Sequence, residues 1–432
     1  MPPEADPRFR SASRRTLTGG FLGSLFSVGM TIYLFGVFQD ALVEAFSTSV
    51  ATLSFAPAVF TAVSGLLSPL VGRSLAREGR TGRSIRSVMA TGTVALGTGL
   101  LLVSQATTLM WAGLAFGFLV APGAILMGPL LGQALVTNWF DRKRGQALGI
   151  VSAGTTVGGM LMPPLAAALI GFLEWRNAMA SLGLLAIVLV LPTLLALVRD
   201  RPEELDLRPD GADAETASAS AAEDRLNGAP EAVDTRALLA NPSLWLVGIT
   251  FGLIFSAGLV STVFMIPYAS EIGLPLLGGS MIAGGRAGFA ATGKIVFGGL
   301  SDRLGVKRVL YGVVVTEIVL TAVLIQVENA VAFSLLAIAI GFVGGAPLPL
   351  KAAMAGQIFG RANFAPAMGL LATVAVPFQL FMVPAAGALY QSVESYAAVF
   401  ALTLPCFALG ALMLFFVRIP EVNGGEGASR KA

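Results

Sequence analysis

The chain has 432 residues, 55% of them hydrophobic and only 12% charged, with a formal net charge of +3. A soluble protein carries roughly 25% charged residues, so this chain has too little polar surface to coat a globule, and a disordered or collagen-like chain is excluded as well. Histidine is absent and the one cysteine, Cys406, lies in an apolar run, which removes His-based metal sites, His general bases and any disulfide within the chain.

A helix needs about 20 apolar residues to cross a hydrocarbon core. The gaps between charged residues therefore mark the predicted elements. Arg15 to Asp40 encloses 24 uncharged residues, and Glu44 to Arg73 encloses 28. Arg86 to Asp141 encloses 54, room for two spans with a polar break at Ser104–Thr108. Arg144 to Glu174 gives 29 and Arg176 to Arg199 gives 22, completing six spans. Residues 200–240 are polar and rich in acids, Pro, Ala and Ser, and read as a flexible linker. Six more spans follow: Arg236 to Glu271; Glu271 to Asp302, interrupted by Arg286 and Lys294; Arg308 to Glu328, with Glu317 inside; Glu328 to Arg361, with Lys351 inside; Arg361 to Glu394; and Glu394 to Arg418. The expectation is an all-α membrane protein of 12 transmembrane helices: a six-helix bundle over 1–199, a linker over 200–240 and a second six-helix bundle over 241–432.

Alternating the spans puts 24 of the 28 Lys and Arg on one face, Arg176 alone on the other and three within spans. By the positive-inside rule both termini are cytoplasmic. The expected location is the cell (inner) membrane, crossed many times.

The two halves repeat. Gly72-Arg73-Ser74-Leu75-Ala76-Arg77-Glu78-Gly79 follows span 2, and Gly298-Gly299-Leu300-Ser301-Asp302-Arg303-Leu304-Gly305 follows span 8. Trp139-Phe140-Asp141-Arg142 after span 4 matches Ile358-Phe359-Gly360-Arg361 after span 10. A parallel repeat of this kind marks a two-bundle transporter rather than a channel or membrane enzyme. No phosphate loop or nucleophile elbow occurs, so an ion or substrate gradient supplies the energy, and no cofactor, metal or nucleic acid is called for.

On these residues the chain resembles the major facilitator superfamily. The pattern after span 8 is complete in Gly298, Asp302, Arg303, Gly305, Lys307 and Arg308; the first copy has Ala76 where an acid is expected. Tyr33-Leu34-Phe35-Gly36-Val37-Phe38, Arg142-Lys143-Arg144-Gly145 and Gly293-Lys294-Ile295-Val296-Phe297-Gly298 are similar to the monocarboxylate and oxalate/formate transporter branches. The resemblance implies a monomeric carrier of small carboxylates working by rocker-switch alternating access. It also implies a cytoplasmic gating role for Gly72, Arg77, Gly79, Arg142, Arg144, Gly298, Asp302, Arg303, Gly305 and Arg308, for which plain topology charge is the alternative. Gly154 and Gly158 read first as helix-packing residues.

Ionisable groups inside a membrane are functional candidates by default. Lys294 lies eight residues from Asp302, about 12 Å along a helix, and Lys351 lies ten residues from Arg361, about 15 Å. Both fall near the middle of a core about 30 Å thick. Arg286 is about 24 Å from the Asp302 level, which predicts a place near the outer mouth. The resemblance places a basic residue, usually Arg, at Lys294, where it meets the substrate carboxylate; Lys is a point charge instead of a fork. Span 11 lacks the Lys of oxalate-type carriers. Lys351 is a second cationic contact, or pairs with Glu317, or snorkels. Tyr33, Phe38, Gln133, Tyr268 and Gln379 are candidate cavity residues, as are Asn138, Ser261 and Phe264. For coupling, Lys294, Glu317 and Asp40 are the candidates, giving proton symport; exchange against a counter-anion needs none of them. Efflux of a neutral or drug-like compound predicts a midplane acid without surplus cations, and a non-transporting sensor on the same fold is the third reading.

Overall fold

The computed structural model describes residues 7–76, 84–140, 144–205, 207 and 235–417, and these are helical apart from short connections. The first apolar stretch is two helices, α1 (Pro7–Gly29) and α2 (Phe35–Ala45), with a turn over 30–34 between them. The next holds α3 (Val50–Leu53), whose N-cap Ser49 accepts from Thr52 N–H, and α4 (Phe55–Ala76). Ser84 caps α5 (Ile85–Gln105) by accepting from Ser87 N–H. Thr108 caps α6 (Leu109–Ala115), which passes through a π turn into α7 (Ala121–Met127) and α8 (Pro129–Trp139). α9 (Arg144–Leu184) turns sharply at Glu174, where φ is 63°, and continues through a second π turn to α10 (Leu191–Leu197).

The second half opens with α11 (Thr235–Ala240) and α12 (Pro242–Val263), the latter capped by Asn241 with proline at its first position. α13 (Met265–Glu271), α14 (Leu276–Leu304) and α15 (Val306–Leu324) follow, the last two separated by Gly305 at φ 86°, a left-handed conformation that suits glycine. α16 (Ala330–Gly344) starts at Asn329, whose side chain accepts from Val331 and Ala332 N–H. α17 (Pro347–Val393) carries three internal prolines and ends at Glu394, φ 52°. α18 (Tyr396–Ala401) and α19 (Thr403–Phe416) close the described chain.

Among the described residues, eight helical segments are long and apolar enough to cross a membrane, the longest being Gln146–Leu197 with the Glu174 turn inside it. α14 and α15 are long but more polar, because they carry Arg286, Lys294 and Glu317. Large apolar side chains such as Phe172 (87% exposed) and Ile295 (78%) face outward, as a lipid-facing surface requires. An all-helical membrane protein results.

The halves pack alike. α1 lies along α9 and α12 lies along α17. Gly154 and Gly158 let α9 approach the backbone carbonyls of Phe21 and Leu25, and Gly248 and Gly252 seat Val374 and Phe378 of α17. Across the halves, α14 runs against α9, and α17 against α3 and α4. Two apolar clusters, one around Met30, Leu96 and Leu182 and a smaller one around Trp139, fill the first half; two, around Leu310 and Phe264, fill the second.

Candidate functional site

Between the halves lies a cavity of about 340 Å³. Tyr33, from the turn joining α1 and α2, and Thr156 of α9 line it from the first half. Ser261 and Thr262 of α12, Arg286 and Lys294 of α14, Glu317 of α15 and Gln379 of α17 line it from the second. Lys294, Tyr33, Gln379 and Ser261 are thus brought together, as is Glu317. Arg286, expected at the mouth, lines the same cavity.

Lys294 Nζ donates to Thr156 Oγ1 at 2.9 Å, a hydrogen bond that crosses from one half to the other. Arg286 donates through NH1 to Thr262 Oγ1 at 2.9 Å, and its Nε–H is buried without a partner. Glu317 is 5% exposed and sits over Gly344, where the missing side chain leaves room for a carboxylate oxygen. Arg286 and Glu317, of opposite charge, line the same cavity, and no hydrogen bond joins them. Gly341 and Gly345 let α16 approach the backbone of Arg286 and Ala290, and Gly293 accommodates Phe342 in return, so the α14–α16 pair that carries the charges is close-packed.

The remaining candidates lie elsewhere. Lys351 is buried and reaches the Phe255 ring, 5.1 Å from its centroid. It does not line the cavity, and no ion pair joins it to Glu317. Phe38 lines a separate, apolar cavity of about 90 Å³. Tyr268 packs between Phe333 and Phe400 in the second-half core, and Phe264 is fully buried there. Gln133 is exposed on α8, and Asn138 donates to the carbonyl of Asp200. Asp40 is exposed in the middle of α2.

The two ends of the cavity differ. At the end bearing Asp40, Gln39 Nε2 donates to Tyr396 Oη at 2.6 Å, joining α2 to α18. Tyr390 stacks on Tyr396 at 4.1 Å, and Glu271 accepts from Tyr396 N–H. Gly36 fits against the Val263 carbonyl, and Gly387 against Ser54. At the other end Asp302, Arg303, Gly305 and Arg308 are exposed, and no hydrogen bond crosses the halves among the described residues. Lys307 there donates to the carbonyls of Phe415 and Val417, capping α19. Gly298 meets Pro349 of its own half. Arg77, Gly79 and Arg142 lie outside the described residues; Gly72 and Arg144 fall within α4 and α9. Arg176, the cation expected alone on the outer face, donates to the carbonyls of Ser104 and Ala106 and so caps α5.

Sequence reasoning missed Thr156, Thr262 and the Gln39–Tyr396 bond. Their only sequence signal is a polar side chain within an apolar run, which does not say which way it faces.

A family model described as Major Facilitator Superfamily matches residues 21–293 and 280–432. Monocarboxylate transporter 13 of Rattus norvegicus is 26% identical over 370 residues, covering 85% of this chain and 80% of that protein. Monocarboxylate transporter 12 of Rattus norvegicus is 27% identical over 345 residues, covering 75% and 70%. A bacterial homolog of the human lysosomal transporter Spinster, solved in an inward-facing and occupied conformation, superposes with a TM-score of 0.75 at 14% identity, covering 96% of this chain and 97% of that one.

Proposed function

The chain belongs to the major facilitator superfamily of membrane transporters and is not an enzyme, and from that premise we propose that it is a secondary carrier of small, monocarboxylate-like organic anions. In this reading its 12 spans form two bundles, 1–199 and 241–432, joined by a cytoplasmic linker over 200–240. It sits in the cell membrane with both termini inside and works by rocker-switch alternating access.

The observation that carries the reading is Lys294. Its ammonium lines the cavity between the halves, bonded to a hydroxyl and to no carboxylate. An incompletely compensated cation in low dielectric favours an anionic guest. Two cations face one carboxylate in the cavity, which argues against a cationic cargo. Tyr33 and Gln379 would supply hydrogen bonds to the same guest. The distant likeness to monocarboxylate transporters 12 and 13 supports the substrate class.

Purified protein in liposomes, offered labelled carboxylates, tests this. Uptake is expected, with loss in Lys294→Gln. Full-rate uptake by Lys294→Gln overturns the assignment.

A further inference from the structure

We infer that Glu317 carries the coupling proton, with Arg286 as its partner, at a site separate from the anion site on Lys294. The inference rests on the anion-carrier reading and decides between symport and exchange within it.

Glu317 is the one carboxylate among the described residues lining the cavity. The groups facing it from the packed helices are few. α14 presents Arg286 and Lys294; α16 presents glycine backbone; α17 presents Gln379, while its Lys351 turns to Phe255. α12 presents Ser261 and Thr262, α19 presents Phe407, and Tyr33 faces the cavity from the other half. On its own helix, Tyr311 has a buried hydroxyl that does not line the cavity. Arg286 is therefore the cation best placed to hold the Glu317 charge, and its buried, unpartnered Nε–H remains free to meet a second acceptor.

Arg286 and Lys294 stand eight residues apart on one helix, about 12 Å. In the empty carrier Glu317 is the one carboxylate in the cavity to balance Arg286, while Lys294 meets only a hydroxyl. A proton on Glu317 alone would strand Arg286, a costly buried charge. A carboxylate entering beside Lys294 restores a negative charge to the cavity, so proton and anion stabilise each other. By linkage the effect is reciprocal. One proton is taken up by the Glu317 carboxylate on one side of the membrane and released from the carboxyl on the other, with one anion per cycle.

The test compares two modes in liposomes: accumulation driven by a pH gradient, and counterflow of labelled against unlabelled carboxylate at equal pH. For one proton per anion, a gradient of one unit drives about tenfold accumulation. The wild type is expected to show both modes. Glu317→Gln is expected to lose the accumulation while counterflow survives, and substrate-driven alkalinisation of the outer medium is expected to vanish with it. If Glu317→Gln fails to fold, Arg286→Gln/Glu317→Gln, which leaves no stranded charge, is the variant to read. Gradient-driven accumulation in either variant overturns the inference, as does loss of counterflow in both folded variants. Neither outcome touches the Lys294 assignment, which fails instead if the wild type moves no carboxylate in either mode.

Discussion

Lys294 of α14 donates its hydrogen bond to Thr156 of α9, so one of the two cations that face the cavity also ties the two halves together. Binding and reorientation then share one side chain. An anion that engages Lys294 acts directly on a bond that has to change when the halves move.

Thr156→Val removes that acceptor while keeping the shape of the side chain. A hydrogen bond to a charged group is worth about 1.5–3 kcal/mol. Freed from Thr156, the ammonium has a donor to give, and anion binding is expected to tighten by about tenfold in a calorimetric titration. Weakening as severe as in Lys294→Gln would make Thr156 itself a substrate contact.

Lys351→Gln separates the roles of the two lysines within spans. Its ammonium packs on Phe255, which lines the cavity while Lys351 does not, an interaction worth about 0.5–2 kcal/mol. The expected result is a lower melting temperature in detergent with substrate affinity changed by less than about threefold. A loss of affinity matching Lys294→Gln would put Lys351 in the binding site.

Gln39→Leu and Tyr396→Phe break the bond that closes one end of the cavity. The net loss of about 1 kcal/mol shifts the balance toward opening at that end by about fivefold. Spin labels at Glu44 and Glu394, in a Cys406→Ser background, are expected to show a larger long-distance population in both variants. An unchanged distance distribution would mean that the glycine contacts at Gly36 and Gly387 suffice.

Gly293→Ala places a methyl against the Phe342 carbonyl, whereas Gly299→Ala meets nothing within 4 Å. Overpacking costs about 1–3 kcal/mol. An alanine in an exposed helical position is neutral or stabilising by about 0.4–1 kcal/mol. Thermal melts are expected to fall for the first and hold or rise for the second; equal behaviour would show that α14 and α16 adjust freely.

The spacing of charges was enough to reach an all-helical membrane protein, because burying charge in lipid is too costly to be scattered; the superfamily came instead from resemblance, carried by the loop motif from Gly298 to Arg308. Lys294 was legible for the same reason: eight residues of helix set its depth. Arg286 was read as a mouth residue because counting fixes the height of the backbone, not the reach of a long side chain into a cavity. Glu317 is a coupling candidate by its place within a span, but its facing is not legible, since the space it occupies is made by Gly344 on another helix. Thr156 and Thr262 were invisible for want of a facing. The turn at 30–34, which sends Tyr33 into the cavity, has neither glycine nor proline within it to announce it. Lys307 belonged to a recognised motif, yet its bonds are to the end of α19, a local capping role that the motif's pattern does not distinguish from gating.

The closure at the Gln39–Tyr396 end joins an amide to a phenol, two groups without net charge at neutral pH. Dissolved ions screen charged pairs and leave such a bond nearly untouched. The tendency of this carrier to stay shut on that side should therefore be the same in dilute and in salty surroundings, a tolerance that a clasp made of opposite charges would not provide.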